Sequence, residues 1–259
     1  MTILHSLIFG IVEGVTEFLP ISSTAHLEIA QRLLNIASTD FVKSFEIAIQ
    51  LGAITAVVLL YKKKLFSSIR YFRNIILAFI PTAIIGFSLY KIIKNFLFGN
   101  LYIAALMLLI GGIIIIFYER KTKNKVDNAS LKTIEALTVK ELLTIGCAQA
   151  LAVVPGVSRS GAVIISGRML GLNQKLITEF SFLLAIPTML AATAYDLLKS
   201  GFYFSSGDWT NLVIGFAAAF ITALFAVKWL LDYIKTHNFT AFGYYRIALG
   251  ILLFLLLIL

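Results

Sequence analysis

Two glutamates four residues apart, Glu13 and Glu17, lead into Pro20, Ser22, Ser23, Thr24 and His26 in the stretch VEGVTEFLPISSTAHL. Positions i and i+4 of a helix share a face, so the two carboxylates lie side by side. Like charges that close are tolerated when a proton or a cation is shared. Glu13 and Glu17 therefore read as an acid/base pair or as ligands to a divalent cation, with a structural pairing to an arginine as the alternative. Pro20 removes a backbone donor and ends the helix. Ser22, Ser23 and Thr24 then offer oxygens that can cap the next helix. His26 follows Ser23 by three residues and Ser22 by four, close enough on a helix to contact either hydroxyl. Either Ser23 or His26 can supply a nucleophile or a base.

A second polar string, VVPGVSRSGAVIISG, runs from Val153 to Gly167. Pro155 and Gly156 make a turn, and Ser158, Arg159 and Ser160 lead into a helix. Gly161 permits close backbone approach to a ligand. Free amides at a helix start together with a guanidinium make an anion site. Arg159 can serve that site and also pair with Glu13 or Glu17. An anion clamp, two carboxylates suited to a divalent cation, and a histidine beside hydroxyls suit hydrolysis of a phosphate ester or anhydride. Arg159 and the cation would stabilise charge on the transferred phosphoryl group.

These groups must be positioned by an apolar chain. Of 259 residues, 59% are hydrophobic and 14% charged, where a soluble domain carries roughly 25% charged residues. Apolar runs near the roughly 20 residues that cross a bilayer recur at about 41–61, 72–90, 98–118, 178–198, 209–231 and 241–259. The expected fold class is all-α and polytopic. The first 20 residues lack a basic start and hold both glutamates, which argues against a cleaved leader. Residues 3–35 and 141–172 are each long enough for two helices but too short for two crossings. A helix from about Thr24 to Leu34 would rise about half of a 30 Å hydrocarbon core. Each segment is expected to be a re-entrant hairpin, which is tolerated where it is buried in protein or lines a cavity.

The halves resemble each other in order: EGVTEFLPISS with QALAVVPGVSRS, FEIAIQLGAITAV with FSFLLAIPTMLAA, and YIAALMLLIGGIIIIF with YRIALGILLFLLLIL. Each half holds one hairpin and three spans. Three is odd, so the second half enters the membrane inverted, which places a site at the midplane between the halves. The expected organisation is one membrane domain over 1–259, with repeat 1 at about 1–120, a cytoplasmic linker at about 121–138 and repeat 2 at about 139–259. Loops 62–71, 119–140, 172–177 and 232–240 with their flanks carry 14 Lys and Arg against 5 on the opposite side. That bias puts the first side in the cytoplasm and both termini outside. The same bias accounts for the net charge of +9 without nucleic acid. A single cysteine, Cys147, excludes an internal disulfide and reads as inert packing, and three scattered histidines exclude a zinc site.

The motifs EGVTEFLPISSTAH and PGVSRSG resemble the two signature segments of the undecaprenyl-diphosphate phosphatases of the bacitracin-resistance type. FEIAIQLGAI, EFSFLLAIP and the late YYRIA also resemble that family, in the same order and over essentially the whole chain. The resemblance implies removal of the terminal phosphate of undecaprenyl diphosphate in the bacterial inner membrane. That recycles the carrier lipid for peptidoglycan synthesis and confers bacitracin resistance. It implies a divalent cation, Mg²⁺ or Ca²⁺, and a polyprenyl diphosphate partner, and it is compatible with a homodimer. It implies Glu13 and Glu17 as acid/base or metal-associated groups, Ser23 or His26 at the nucleophilic step, and Ser158 with Arg159 on phosphate. Ser22, Ser160, Gly156 and Gly161 join the candidate phosphate-binding set. Two positions depart from the family pattern. Val163 stands where a threonine is usual, and Ala25 stands where a glycine is usual. A polyprenyl-phosphate or other lipid transporter is the competing reading, since inverted repeats and opposed hairpins also build transporters. An ion or proton-coupled carrier would explain the glutamates but not PGVSRSG.

Overall fold

The computed structural model describes residues 1–65, 68–92, 96–97, 99–122, 132–200 and 206–258. Lys94, Lys123, Lys125 and half of the linker, residues 123–131, lie outside the described residues. Ten α-helices are formed among these: α1 (Ile3–Thr16), α2 (Ser23–Leu33), α3 (Asp40–Leu65), α4 (Ile69–Ile92), α5 (Leu101–Thr122), α6 (Val139–Ala150), α7 (Arg159–Met169), α8 (Gln174–Ser200), α9 (Ser206–Tyr233) and α10 (Thr240–Ile258). Six of them, α3, α4, α5, α8, α9 and α10, are long and apolar enough to cross a membrane, within a few residues of the expected spans. The other four have 11 to 14 residues, which at 1.5 Å per residue is about 16–21 Å. None of these reaches across a hydrocarbon core.

The short helices start and stop for local reasons. A threonine capping box opens α1 (Thr2 with His5) and another opens α6 (Thr138 with Glu141). α1 ends at Thr16, four residues ahead of Pro20. α6 gives way to a 3₁₀ turn over Leu151–Val153, just before Pro155. α2 and α7 each begin immediately after a serine cap, Ser22 or Ser158, whose side chain accepts a backbone N–H.

Close helix packing then fixes the short helices in the bundle. α1 lies along α9 and α6 lies along α4. A Cβ at Gly10 would sit 2.4 Å from the Gly215 oxygen, and one at Gly146 would sit 2.1 Å from the Ala78 oxygen. Small residues at such crossings let backbones approach where burial of apolar surface alone gives no preference over lipid. The main core gathers Phe18, Val57, Ile75, Val163, Phe180, Phe182 and Leu230. Phe18 and Phe182 meet edge to face, centroids 5.3 Å apart, so the first broken segment is packed against α8.

Polar contacts show which helix ends adjoin. Lys64 at the end of α3 pairs with Glu179 near the start of α8 at 2.7 Å. Arg120 at the end of α5 donates to the Tyr244 hydroxyl near the start of α10 at 2.9 Å. Gln174 at the start of α8 donates to the His237 carbonyl just past α9 at 2.9 Å. These contacts bring Lys/Arg-rich helix ends together at one end of the bundle. Cys147 is exposed on the outer side of α6, so the expectation that it is a packed core residue is corrected: the face of α6 that packs on α4 carries Gly146 instead.

Gly14→Ala tests the α1–α9 contact. Its added methyl would meet the Ala219 oxygen at 2.4 Å and the Thr222 hydroxyl at 2.0 Å. The expected outcome is a loss of about 1–3 kcal/mol, read as a lower unfolding midpoint in detergent by thermal denaturation.

Candidate active site

The two broken segments meet, and Arg246 sits between them. It is completely buried on α10. Its Nη1 donates to the Pro20 carbonyl at 3.2 Å and to the Val157 carbonyl at 3.0 Å. Its Nη2 donates to the Gly156 carbonyl at 2.8 Å and to the Met107 carbonyl on α5 at 3.0 Å. Carbonyls released where helices stop inside an apolar bundle must find donors. One planar guanidinium satisfies both tips at once. Sequence reasoning missed Arg246, although a lone charge inside the last apolar span was the available signal.

The tips share an unusual backbone. Ser22 has φ 71 and ψ 96, and Ser158 has φ 73 and ψ 113. A positive φ at a non-glycine residue is uncommon and costs on the order of 1–3 kcal/mol. At the second tip the serine side chains form a directed chain. Gly161 N–H donates to Ser158 Oγ at 3.1 Å. Ser160 Oγ donates to the Leu19 carbonyl at 2.7 Å, so its single proton is used. Ser158 is therefore the donor in the 3.1 Å contact between the two hydroxyls. The chain links the second tip to the first. Gly156, at φ +89, packs where a Cβ would lie 2.4 Å from the Ala104 oxygen, so the close approach it permits is to α5. A Cβ at Gly161 would meet Ser158 and Arg246 at 3.2 and 3.4 Å.

Glu17 is the junction of the cluster. It keeps helical dihedrals beyond the end of α1, so it remains on the face of Glu13. Its Oε1 accepts from Arg159 Nη2 at 2.8 Å, and its Oε2 accepts a short hydrogen bond from Ser23 Oγ. Arg159 also donates from Nη1 to the Ser181 carbonyl on α8, and its guanidinium lies 5.6 Å from the Phe18 ring centroid. Its Nε is buried with no hydrogen-bond partner. Of the two glutamates offered by the sequence, Glu17 takes the arginine.

Glu13 differs. It is completely buried, no donor group reaches either carboxylate oxygen, and its carboxyl lies close enough to that of Glu17 to share a proton with it. Its charged neighbours are Glu17, Glu46 on α3 and Arg159. Glu46 is itself buried, with one oxygen unpartnered. Among the described residues no three His, Cys, Asp or Glu side chains form a ready metal cage. A carboxylate that meets no donor, beside a second carboxylate, nevertheless fits a hard cation that takes its other ligands from phosphate and water.

His26 departs from the sequence reading at one point. Its ring nitrogens contact neither serine hydroxyl. Nδ1 lies 2.7 Å from the Ser22 carbonyl oxygen, and Nε2 lies 2.7 Å from the Tyr245 hydroxyl. The Ser22 carbonyl also accepts the His26 backbone N–H at 3.4 Å, the first turn of α2, while the Ser22 hydroxyl is taken up with Thr24 and the Ala25 amide. Val163, where a threonine is usual, is fully buried in the main core. Nearby, an apolar cavity of about 570 Å³ opens between α3, α4 and α8 and is lined by Ile47, Phe79, Ile84, Phe87 and Val153 among others, with Lys43 and Asp196 on its wall.

Among the described residues, ten helices, six of membrane-crossing length, with buried carboxylate, guanidinium and hydroxyl groups and a half-buried imidazole where two broken segments meet, define a polytopic α-helical membrane protein with an interior polar site. Residues 6–252 match the family described as bacitracin resistance protein BacA. The chain is 52% identical over 251 residues to an undecaprenyl-diphosphatase of Aquifex aeolicus, covering 97% of each. It is 52% identical over 255 residues to one of a Sulfurihydrogenibium species, covering 98% of this chain and 99% of that one. It is 48% identical over 262 residues to one of Persephonella marina, covering both in full. The chain belongs to the BacA family.

Arg246→Met removes five N–H donors and leaves several buried carbonyls unpaired. At about 1–3 kcal/mol for each unsatisfied group, the variant is expected to lose at least about 3 kcal/mol and to become protease-sensitive near both tips. Limited proteolysis with mass mapping checks this.

Proposed function

We propose that this chain is an undecaprenyl-diphosphatase, which hydrolyses the terminal phosphate from undecaprenyl diphosphate to leave the monophosphate carrier lipid. By the same reading it recycles that carrier for the cell wall and confers bacitracin resistance. The observation that carries the reading is Glu17 holding Arg159 and Ser23 together, one on each oxygen. A diphosphate competes with Glu17 for the guanidinium. Once Arg159 turns to phosphate, Glu17 is a freer base for the Ser23 proton it already accepts. Ser23 Oγ attacks the terminal phosphorus, the bond to the bridging oxygen breaks, and the lipid phosphate leaves. Arg159 and the Ser158 hydroxyl hold the transferred group. Ser22 and Ser160 shape the two tips around it, as do the backbones of Gly156 and Gly161. His26, three residues from Ser23 on α2, is the base for the water that releases phosphate from the serine.

A divalent cation, Mg²⁺ or Ca²⁺, would be held by Glu13, with Glu17 beside it. When bound it would neutralise charge on the phosphate oxygens. The cavity bordered by Val153 suits an apolar isoprenoid chain close to the second tip.

The two halves form an inverted repeat in this reading. The support is a constant offset of 136 residues between Thr2 and Thr138, Gly10 and Gly146, and Ser22 and Ser158. Each pair does the same job: capping box, backbone contact with a long helix, strained cap. The same offset pairs Glu13 with Gln149 and Ser23 with Arg159. Each half then dips one hairpin into the bilayer from its own side. The Lys/Arg-rich end faces the cytoplasm and both termini face outward.

Purified protein is expected to release inorganic phosphate from a polyprenyl diphosphate with Mg²⁺ or Ca²⁺, and to stop on addition of EDTA. Lipid binding with no phosphate release under any metal would favour the transporter. Glu17→Gln and Arg159→Ala are each expected to lower kcat by at least about 100-fold with insertion intact. Glu179→Gln, whose partner is the half-exposed Lys64, is expected to stay within about twofold. Equal losses at Glu17 and Glu179 would point to general structural damage.

A further inference from the structure

His26 is held at both ring nitrogens, and the two contacts together fix its chemistry. Nδ1 faces a carbonyl oxygen, that of Ser22, at 2.7 Å. A carbonyl only accepts, so Nδ1 carries the proton. In the neutral ring Nε2 is then the acceptor, and the Tyr245 hydroxyl at 2.7 Å is its donor. The two rings lie nearly parallel, 3° between planes with centroids 5.7 Å apart. Tyr245 comes from the far end of the chain, 219 positions away. It adjoins Arg246, whose bonds to the Pro20, Gly156 and Val157 carbonyls set the register of α10 against both tips.

We propose that Tyr245 is a positioning residue for His26. The Ser22 carbonyl keeps the proton on Nδ1, and the Tyr245 hydroxyl, donating to Nε2, holds the ring in place so that Nε2 can receive the proton of the attacking water. The proposal rests on the role given above to His26. Tyr245 is 45% exposed, so its ring has room to swing aside. A water O–H then takes the place of the phenol O–H on Nε2. As the water oxygen bonds to phosphorus, its proton passes to Nε2. The bond from phosphorus to Ser23 Oγ breaks, and the serine recovers the proton left on Glu17 in the first step. The Nδ1–H stays on the Ser22 carbonyl throughout, as an orienting group does for a catalytic imidazole.

The test compares the full chain with Tyr245→Phe in detergent micelles, using ¹⁵N NMR of labelled histidine and steady-state kinetics. Three histidines keep the spectrum assignable, with His26→Ala identifying the His26 signals. The wild type is expected to show a protonated Nδ1 and a hydrogen-bonded, unprotonated Nε2. The phenylalanine variant is expected to keep Nδ1 protonated and to lose the hydrogen-bond shift at Nε2, with kcat lower by roughly fivefold to tenfold, the scale of one lost hydrogen bond, and KM within twofold. An unchanged Nε2 resonance with unchanged kcat overturns the proposal, as does a change in KM alone. His26→Ala with near wild-type kcat would instead remove the underlying role of His26. Should Tyr245→Phe fail to fold, a fluorinated tyrosine at 245 keeps the ring and makes the hydroxyl a stronger donor. It is expected to move the Nε2 resonance, and an unmoved Nε2 resonance overturns the proposal.

Discussion

A helix that stops inside an apolar bundle exposes carbonyls and amides that lipid cannot satisfy. This chain stops two helices in that way, and the donors of Arg246 bind the carbonyls of both stops. The site depends on that contact. It acts together with the Ser160 bond to the Leu19 carbonyl, which also joins the tips, to hold Glu17 on the first within reach of Arg159 on the second. The same residue ties the tips to α5 through the Met107 carbonyl, so four separate stretches of chain are held by one side chain.

Charge inside the bundle is balanced locally. Arg159 faces Glu17, and Phe18 lies against its guanidinium. Burying such a pair is costly unless further hydrogen bonds complete it, and here Ser23 and the Ser181 carbonyl do so. Glu13 stands outside this balance, buried with no donor on either oxygen. An ion pair braced by further hydrogen bonds, with Arg159 Nε still without a partner, beside a carboxylate that meets no donor is a polarised arrangement. It suits a charged ligand that brings its own cation and redistributes the hydrogen bonds on arrival.

Matched local geometry recurs in the two halves with different chemistry on it. The capping boxes, the glycine contacts and the strained serine caps recur at one spacing, while the functional side chains do not. Ser23 corresponds in position to Arg159, and both bond to Glu17. A hydroxyl and a guanidinium thus enter one carboxylate from equivalent places on two helices. Duplicated backbone geometry can in this way yield an asymmetric site, because each cap needs only its serine and leaves the next position free to vary.

The sequence by itself determined the helical class, the six spans and the two broken segments. Hydrophobic run length and proline position are local properties, and the bilayer admits few alternatives. It also marked Glu13, Glu17, Ser23, His26 and Arg159, because polar groups in an apolar chain stand out one at a time. The tertiary structure decided which of them touch. Spacing along one helix allowed His26 to reach a serine hydroxyl, but its ring took the Ser22 carbonyl instead, and Tyr245 arrived from the last helix. Spacing likewise could not choose between Glu13 and Glu17 for the arginine, since the choice rests on a contact 142 positions away. Arg246 was visible only as an odd charge in a span. Its five donors acquire meaning once two interrupted helices lie within their reach, a distance that no local pattern encodes.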